Sequence, residues 1–159
     1  MVVTVAIDEG PRFAIGAVAV KDHPELVDRL RVRSGMTFSR TAVADDRATL
    51  ETLVQDEGYA FALVLPLTHV DLDRATIDVT WEIDRGKRAR FGLFDIYNAP
   101  TDLVRSELGL AEGEPFSMSR LMAGKQRLIS RGLTGVTIAT KRGRTPELVD
   151  VIVELPAPD

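Results

Sequence analysis

Two histidines, His23 and His69, are the first residues to weigh for acid–base or metal chemistry. They fall in a turn and in a strand, in one half of the chain only, and read as surface side chains. Asp71 and Asp73 straddle Leu72 close to His69. Carboxylates so placed could hold calcium, but one turn lacks the six or more oxygens that such sites use. Asp45-Asp46 read as the wet face of a long helix, and Trp81 as core rather than a stacking platform. Gly10 and Gly86 belong to strand exits and serve the backbone. G-x-S-x-G, H-E-x-x-H and phosphate-loop patterns are missing. With no cysteine, disulfides, thiol catalysis and cysteine metal sites are excluded. The expectation is no catalytic residue, no metal and no cofactor.

The chain repeats itself. Val3-Thr4-Val5-Ala6-Ile7-Asp8-Glu9-Gly10 returns as Val79-Thr80-Trp81-Glu82-Ile83-Asp84-Arg85-Gly86, a shared V-T-x-x-I-D-x-G. Gly16 maps to Gly92 at the same offset. Leu26, Leu30, Gly35, Phe38, Ser39, Val43 and Leu50 map, at one constant offset, to Val104, Leu108, Gly113, Phe116, Ser117, Leu121 and Leu128. Asp78-Val79 and Glu82-Ile83 recur, at a slightly shorter offset, as Asp150-Val151 and Glu154-Leu155. Two copies of one unit indicate a modular array rather than an enzyme built around one cleft. The expected division is 1–10 as the last strand of a preceding repeat, 11–85 as one domain and 86–159 as the next. On that reading the chain is a fragment, Met1 an added start, and any targeting signal lies outside it.

Composition is ordinary for a globular protein, with 45% hydrophobic and 28% charged residues. A net charge of −4 argues against nucleic acid as a partner, since phosphates need a basic face. The local cluster Arg85, Lys87, Arg88 and Arg90 reads as a solvated lead-in to a strand. No apolar run reaches the ~20 residues that span a bilayer.

Each copy carries the same order of signals. Strands are expected at 13–20 and 90–97. Asp22-His23-Pro24 and Asn98-Ala99-Pro100-Thr101 follow as turns, with Asp22 and Thr101 as N-caps. A short helix carries Leu26 and Leu30, or Val104 and Leu108, four apart on one face, and Gly35 or Gly113 ends the link that follows. A longer helix opens at Ser39 or Ser117. Its apolar stripe is Val43, Leu50, Leu53 and Val54 in one copy and Leu121, Leu128 and Ile129 in the other, and Gly58 or Gly132 stops it. Two strands close each unit, at 61–70 and 76–84, then at 136–141 and 148–155. Ile77, Val79, Trp81 and Ile83 alternate with Asp78, Thr80, Glu82 and Asp84, as in a sheet covered on one side.

The expected fold is therefore α+β: two tandem β-α-α-β-β domains, each a three-stranded mixed sheet with two helices on one face. The first and third strands should be parallel, and the last two a hairpin. The second strand should lie at the edge, where Pro66 is tolerated.

This unit resembles the POTRA domain, and the pair is similar to the periplasmic part of BamA-type outer-membrane assembly proteins. The resemblance rests on Asp8-Glu9-Gly10-Pro11-Arg12-Phe13, Ile15-Gly16, Gly35-Met36-Thr37-Phe38-Ser39 and Glu57-Gly58-Tyr59-Ala60. In the second copy it rests on Leu103-Val104-Arg105-Ser106-Glu107-Leu108 and Glu112-Gly113-Glu114-Pro115-Phe116-Ser117. The family's Gly-Asn after the first strand is replaced by Lys21-Asp22-His23 and Tyr97-Asn98-Ala99, and Leu133 stands where an aromatic is common. These departures leave open the choice between assembly factors and relatives such as TamA or secretion transporters.

The resemblance implies a non-enzymatic periplasmic scaffold ahead of a C-terminal membrane β-barrel of the same parent chain. Its partners would be unfolded outer-membrane proteins and accessory periplasmic lipoproteins. An edge strand offers unpaired main-chain groups to which an extended client can add. The candidate client-binding residues are Leu63, Val64 and Leu65, with Val136, Thr137 and Ile138. Arg105, Glu107 and Glu112, around the helix-to-helix link, are the candidate partner-binding residues. Two alternatives stay open: an interaction module of a secretion transporter or cell-division membrane protein, and a small α+β enzyme.

Overall fold

A computed structural model describes residues 12–157. The strand expected at 1–10 lies outside them. Contacts divide the chain into two compact units: one runs to Leu50 and takes in Val64–Ile83, the other joins Glu51–Leu63 to the residues from Asp84 onward. The stretch 51–63, which the repeat places in the first copy, thus packs with the second unit.

The first sheet contains β1 (Ala14–Val20), β2 (Leu63–Asp71) and β3 (Thr76–Asp84), in the order β1-β3-β2. β1 and β3 are parallel, with Ile15 opposite Ile77 and Val20 opposite Trp81. The short link between β2 and β3 leaves no length for a crossover, so that pair is a hairpin. The alternation in β3 does what period two requires: Ile77, Val79 and Trp81 are buried. They meet Val43 and Leu50 of α1 (Arg40–Asp56), together with Ile15, Val20, Leu30, Val32 and Val64. Ser39 caps α1, its Oγ accepting from Ala42 N at 3.3 Å.

The second sheet repeats the plan with β4 (Arg90–Tyr97), β5 (Thr137–Arg142) and β6 (Leu148–Glu154), in the order β4-β6-β5. β4 is parallel to β6, and β5 antiparallel to it. Helices α2 (Thr101–Leu108) and α3 (Met118–Ser130) supply Val104, Leu108, Leu121 and Leu128 to a core built on Phe91, Phe94 and Phe116. The Phe91 and Phe116 rings lie 5.1 Å apart and tilted, a favoured aromatic geometry. Ser117 caps α3, accepting from Arg120 N at 3.3 Å.

Three local expectations are corrected. The first short helix is 3₁₀ (Pro24–Arg29), and its N-cap is His23, with no side-chain cap. Asp22 takes φ 61° and turns the chain, a conformation that short polar side chains tolerate. Pro100, not Thr101, occupies the N-cap of α2; Thr101 is already helical. Asp46 is not on a wet face. It is fully buried, and its two carboxylate oxygens accept from Arg31 N at 2.7 Å and Val32 N at 2.9 Å. Its spacing from Val43 and Leu50 sets it on the core side of α1, where it ties the loop ahead of that helix to it.

Candidate functional site

In each sheet the two rims differ. The start of the outer rim of β1 is closed by the loop ahead of α1. Ile15 N donates to Met36 O at 2.7 Å, Gly35 N to Ile15 O at 2.8 Å, and Phe38 N to Phe13 O at 2.9 Å. The start of the outer rim of β4 is closed in the same way: Phe91 N donates to Glu114 O at 2.9 Å, Gly113 N to Phe91 O at 2.7 Å, and Phe116 N to Ala89 O at 3.1 Å. The recurring Gly-x-x-Phe-Ser motif therefore does more than start a helix. Its glycines, both at φ 84°, turn the chain back along the strand, and its phenylalanines anchor the turn beneath.

The opposite rims belong to β2 and β5, and among the described residues no loop hydrogen-bonds to either. β2 is nine residues long, about 30 Å at the usual strand rise. Val64 is fully buried, whereas Leu63, Leu65 and Leu67 are 54%, 50% and 50% exposed. Alternation places these three leucines in one row on one face of the sheet. From Leu65 to Val70 every residue is exposed, so the far half of β2 extends past the helical cover. β5 is shorter, six residues, with Lys141 and Arg142 at its end. Lys141 Nζ pairs with Asp95 Oδ2 at 2.9 Å, which raises the lysine pKa. Thr137 is exposed and Ile138 half-buried. Val136 is buried, one residue ahead of β5, and so faces the core.

Both sheets also share a bulge in the first strand. The β1–β3 register shifts between Ile15 and Val18, and the β4–β6 register between Phe91 and Phe94. The amide left free at each bulge donates to a carboxylate on the central strand: Ala17 N to Asp78 Oδ1 at 2.6 Å, and Leu93 N to Asp150 Oδ1 at 2.8 Å. A Cβ on Gly16 or Gly92 would overlap that same oxygen. The recurrence of Gly16 as Gly92, and of Asp78 as Asp150, was the available signal.

The proposed partner residues part company. Glu107 is tied down, its Oε1 accepting from Arg131 Nε at 2.8 Å and its carbonyl from Arg127 Nε at 2.7 Å. Arg105 and Glu112 are exposed. Glu112 helps line a recess of about 320 Å³ beside the β4 bulge, with Leu93, Arg144 and Asp150. His23 Nδ1 lies 3.2 Å from Glu25 Oε1, and Asp71 Oδ1 accepts from Arg74 N at 3.0 Å within its turn. Among the described residues no group of three or more His, Asp or Glu could hold a metal ion.

Residues 15–86 match the POTRA family model, described as a surface antigen variable number repeat. With the β-α-α-β-β order and the mixed three-stranded sheet, this defines a POTRA domain. The outer membrane protein assembly factor BamA of Neorickettsia risticii (strain Illinois) is 26% identical over 141 residues, covering 83% of this chain and 19% of that protein. The chain thus spans about a fifth of the length of this curated relative. The BamA POTRA3-5 crystal structure from Haemophilus influenzae superposes with a TM-score of 0.78 at 21% identity, covering 94% of this chain and 63% of that one. BamA from Haemophilus ducreyi lacking POTRA domains 1-3 gives a TM-score of 0.66 at 20% identity, over 91% and 29%. Residues 15–86 are thus a POTRA domain, and the curated relatives that align over most of this chain are BamA proteins.

Proposed function

We infer that the chain is part of the periplasmic scaffold of an outer-membrane protein assembly factor, and that it holds unfolded clients by strand addition. The observation that carries this reading is the asymmetry of the rims: the chain's own loop pairs with the start of one rim of each sheet and, among the described residues, no loop pairs with the other. Main-chain pairing barely reads sequence, which suits many clients, and its weakness allows release. β2 is the principal acceptor. It is long, carries no charged residue from Leu63 to Val70, and presents the Leu63, Leu65 and Leu67 row to a neighbouring strand. β5 is secondary, since short length and terminal cations blunt an edge. Accessory lipoproteins dock through Arg105 and Glu112, with Glu107 holding the end of α2 behind them. The scaffold itself carries out no chemistry, and the parent chain continues into a membrane β-barrel.

The test is NMR on the isotope-labelled chain, titrated with a synthetic peptide from a transmembrane strand of an outer-membrane barrel. Shifts should run along Val64 to Leu67, and more weakly along Val136 to Ala139. Shifts confined to the helix faces would overturn strand addition.

A further inference from the structure

In the second unit the segment before β4 lies beside the β5–β6 turn. Lys87 Nζ pairs with Glu147 Oε1 at 3.4 Å, and Arg90 N donates to Glu147 O at 2.8 Å. Two cavities meet at that ion pair. One, of about 350 Å³, is lined by apolar Phe61, Leu63 and Pro146 and by the cations Lys87 and Arg142. The other, of about 510 Å³, is lined by apolar Ala89, Pro115 and Leu148 and by Arg88 and Arg90. Lys87 borders the first and Glu147 the second.

The local acids are already engaged. Glu57 pairs with Arg85 at 3.3 Å, Glu147 with Lys87, and Asp84 Oδ1 accepts from Gly86 N at 3.1 Å. Among the described residues no carboxylate lies within ion-pair distance of Arg88, Arg90 or Arg142. Two of these guanidinium groups rest on aromatic faces: Arg142 lies 4.4 Å over the Phe61 ring and Arg88 5.4 Å over that of Tyr59. Stacking fixes the plane of a guanidinium and leaves its edge donors free for a carboxylate. Three uncompensated cations stand out in a chain of net charge −4.

We propose that these paired cavities bind an acidic, partly apolar segment of a partner polypeptide. Its carboxylates meet Arg88, Arg90 and Arg142, and its apolar side chains enter the two recesses. Two apolar-lined recesses separated by an ion pair match side chains spaced along a chain better than a flat layer of lipid headgroups. Leu63 at the start of β2 and Arg142 at the end of β5 border the site, so it adjoins both free rims, but its carboxylate-binding groups are side-chain guanidinium groups and not main-chain donors.

The test uses the whole chain and two short fluorescein-labelled peptides, one alternating Glu with Leu, the other alternating Lys with Leu. Main-chain pairing alone would take both alike. Fluorescence anisotropy should show the Glu peptide binding at least about tenfold tighter at low salt, with the preference lost near 1 M salt, where screening acts within about 3 Å. R88E/R142E should weaken the Glu peptide at least about tenfold, R88K/R142K, which keeps the charge but loses the stacked planar fork, should weaken it less, and R40E at the first residue of α1 should leave it unchanged. Unchanged thermal melts by circular dichroism will separate lost binding from lost fold. Equal affinity for both peptides, or full affinity in R88E/R142E, would overturn the proposal. So would R88E/R142E-sensitive sedimentation with phosphatidylglycerol vesicles in the absence of Glu-peptide binding.

Discussion

Replacing Gly16 with alanine sets a methyl group against the Asp78 carboxylate that holds the β1 bulge. Thr76 Cβ would be 3.5 Å from the new atom, an ordinary contact, so Asp78 alone must yield. Swinging away, it forfeits its 2.6 Å bond from Ala17 N. A hydrogen bond to a charged group contributes about 1.5–3 kcal/mol, and the exposure of this one places it at about 1.5 kcal/mol. A displaced rotamer adds about 0.5–1.5 kcal/mol. Alanine returns about 0.4–1 kcal/mol by restricting the unfolded chain. The net expectation for G16A is a loss of about 1–2.5 kcal/mol. In a D78A background the obstacle is gone and only the unfolded-state gain remains, so G16A should become neutral or slightly stabilising. The assay is urea unfolding followed by fluorescence of Trp81, the chain's single tryptophan, which is fully buried in the first core. Additive effects of the two substitutions, or a loss under about 0.5 kcal/mol for G16A alone, would refute the coupling between this glycine and carboxylate.

Asp46 offers a sharper core test: D46A leaves two amides without acceptors and should cost about 2–5 kcal/mol in the same assay. D46N should rescue little, because its NH₂ would face one of those donors; an unfolding midpoint equal to that of the parent would contradict the double acceptor role. Asp56 links stability to pH. Burial pushes its carboxyl up, but the Ser119 hydroxyl and amide, the Ser117 hydroxyl and the Met118 amide outweigh that and hold it below the ordinary 3.8. A lowered folded value means the stabilisation is complete above the unfolded pKa and fades as pH falls through the folded one. Amide exchange at Ser119, whose N–H donates to Asp56 Oδ1 at 2.8 Å, should therefore be faster in D56N than in the parent at neutral pH by the equivalent of about 0.5–1 kcal/mol. Once the pH falls below the folded pKa of Asp56 the two should converge; a difference that persists after the carboxylate is protonated would contradict the assignment.

The order of elements is legible in the residues alone, because the physics of each element is local. Residues 76–83 alternate with period two and form β3. Ser39 and Ser117 stand where the free amides of a first turn need an acceptor, and both cap. Pro66 marked β2 as a rim strand, which the strand order bears out. Repetition exposed a module, and with it the POTRA resemblance.

Which rims are open, and what each acidic residue does, follows from contacts between distant segments. Nothing in Gly35-Met36-Thr37-Phe38 states that its amides and carbonyls will pair with β1, since a turn and a 3₁₀ helix separate the two in the chain. Asp46 looks like any helical aspartate until the loop ahead of α1 folds onto it and turns a solvent group into a buried double acceptor. Asp78 and Asp150 sit on the polar phase of their strands, and only the bulge opposite supplies the free amide each one receives. Arg88 and Arg142 lie far apart in sequence, with β4, α2 and α3 between them, and chain folding alone brings the segments that carry them together. Periodicity fixes which face of an element is wet, but pairing across distant segments depends on contacts that no local window contains.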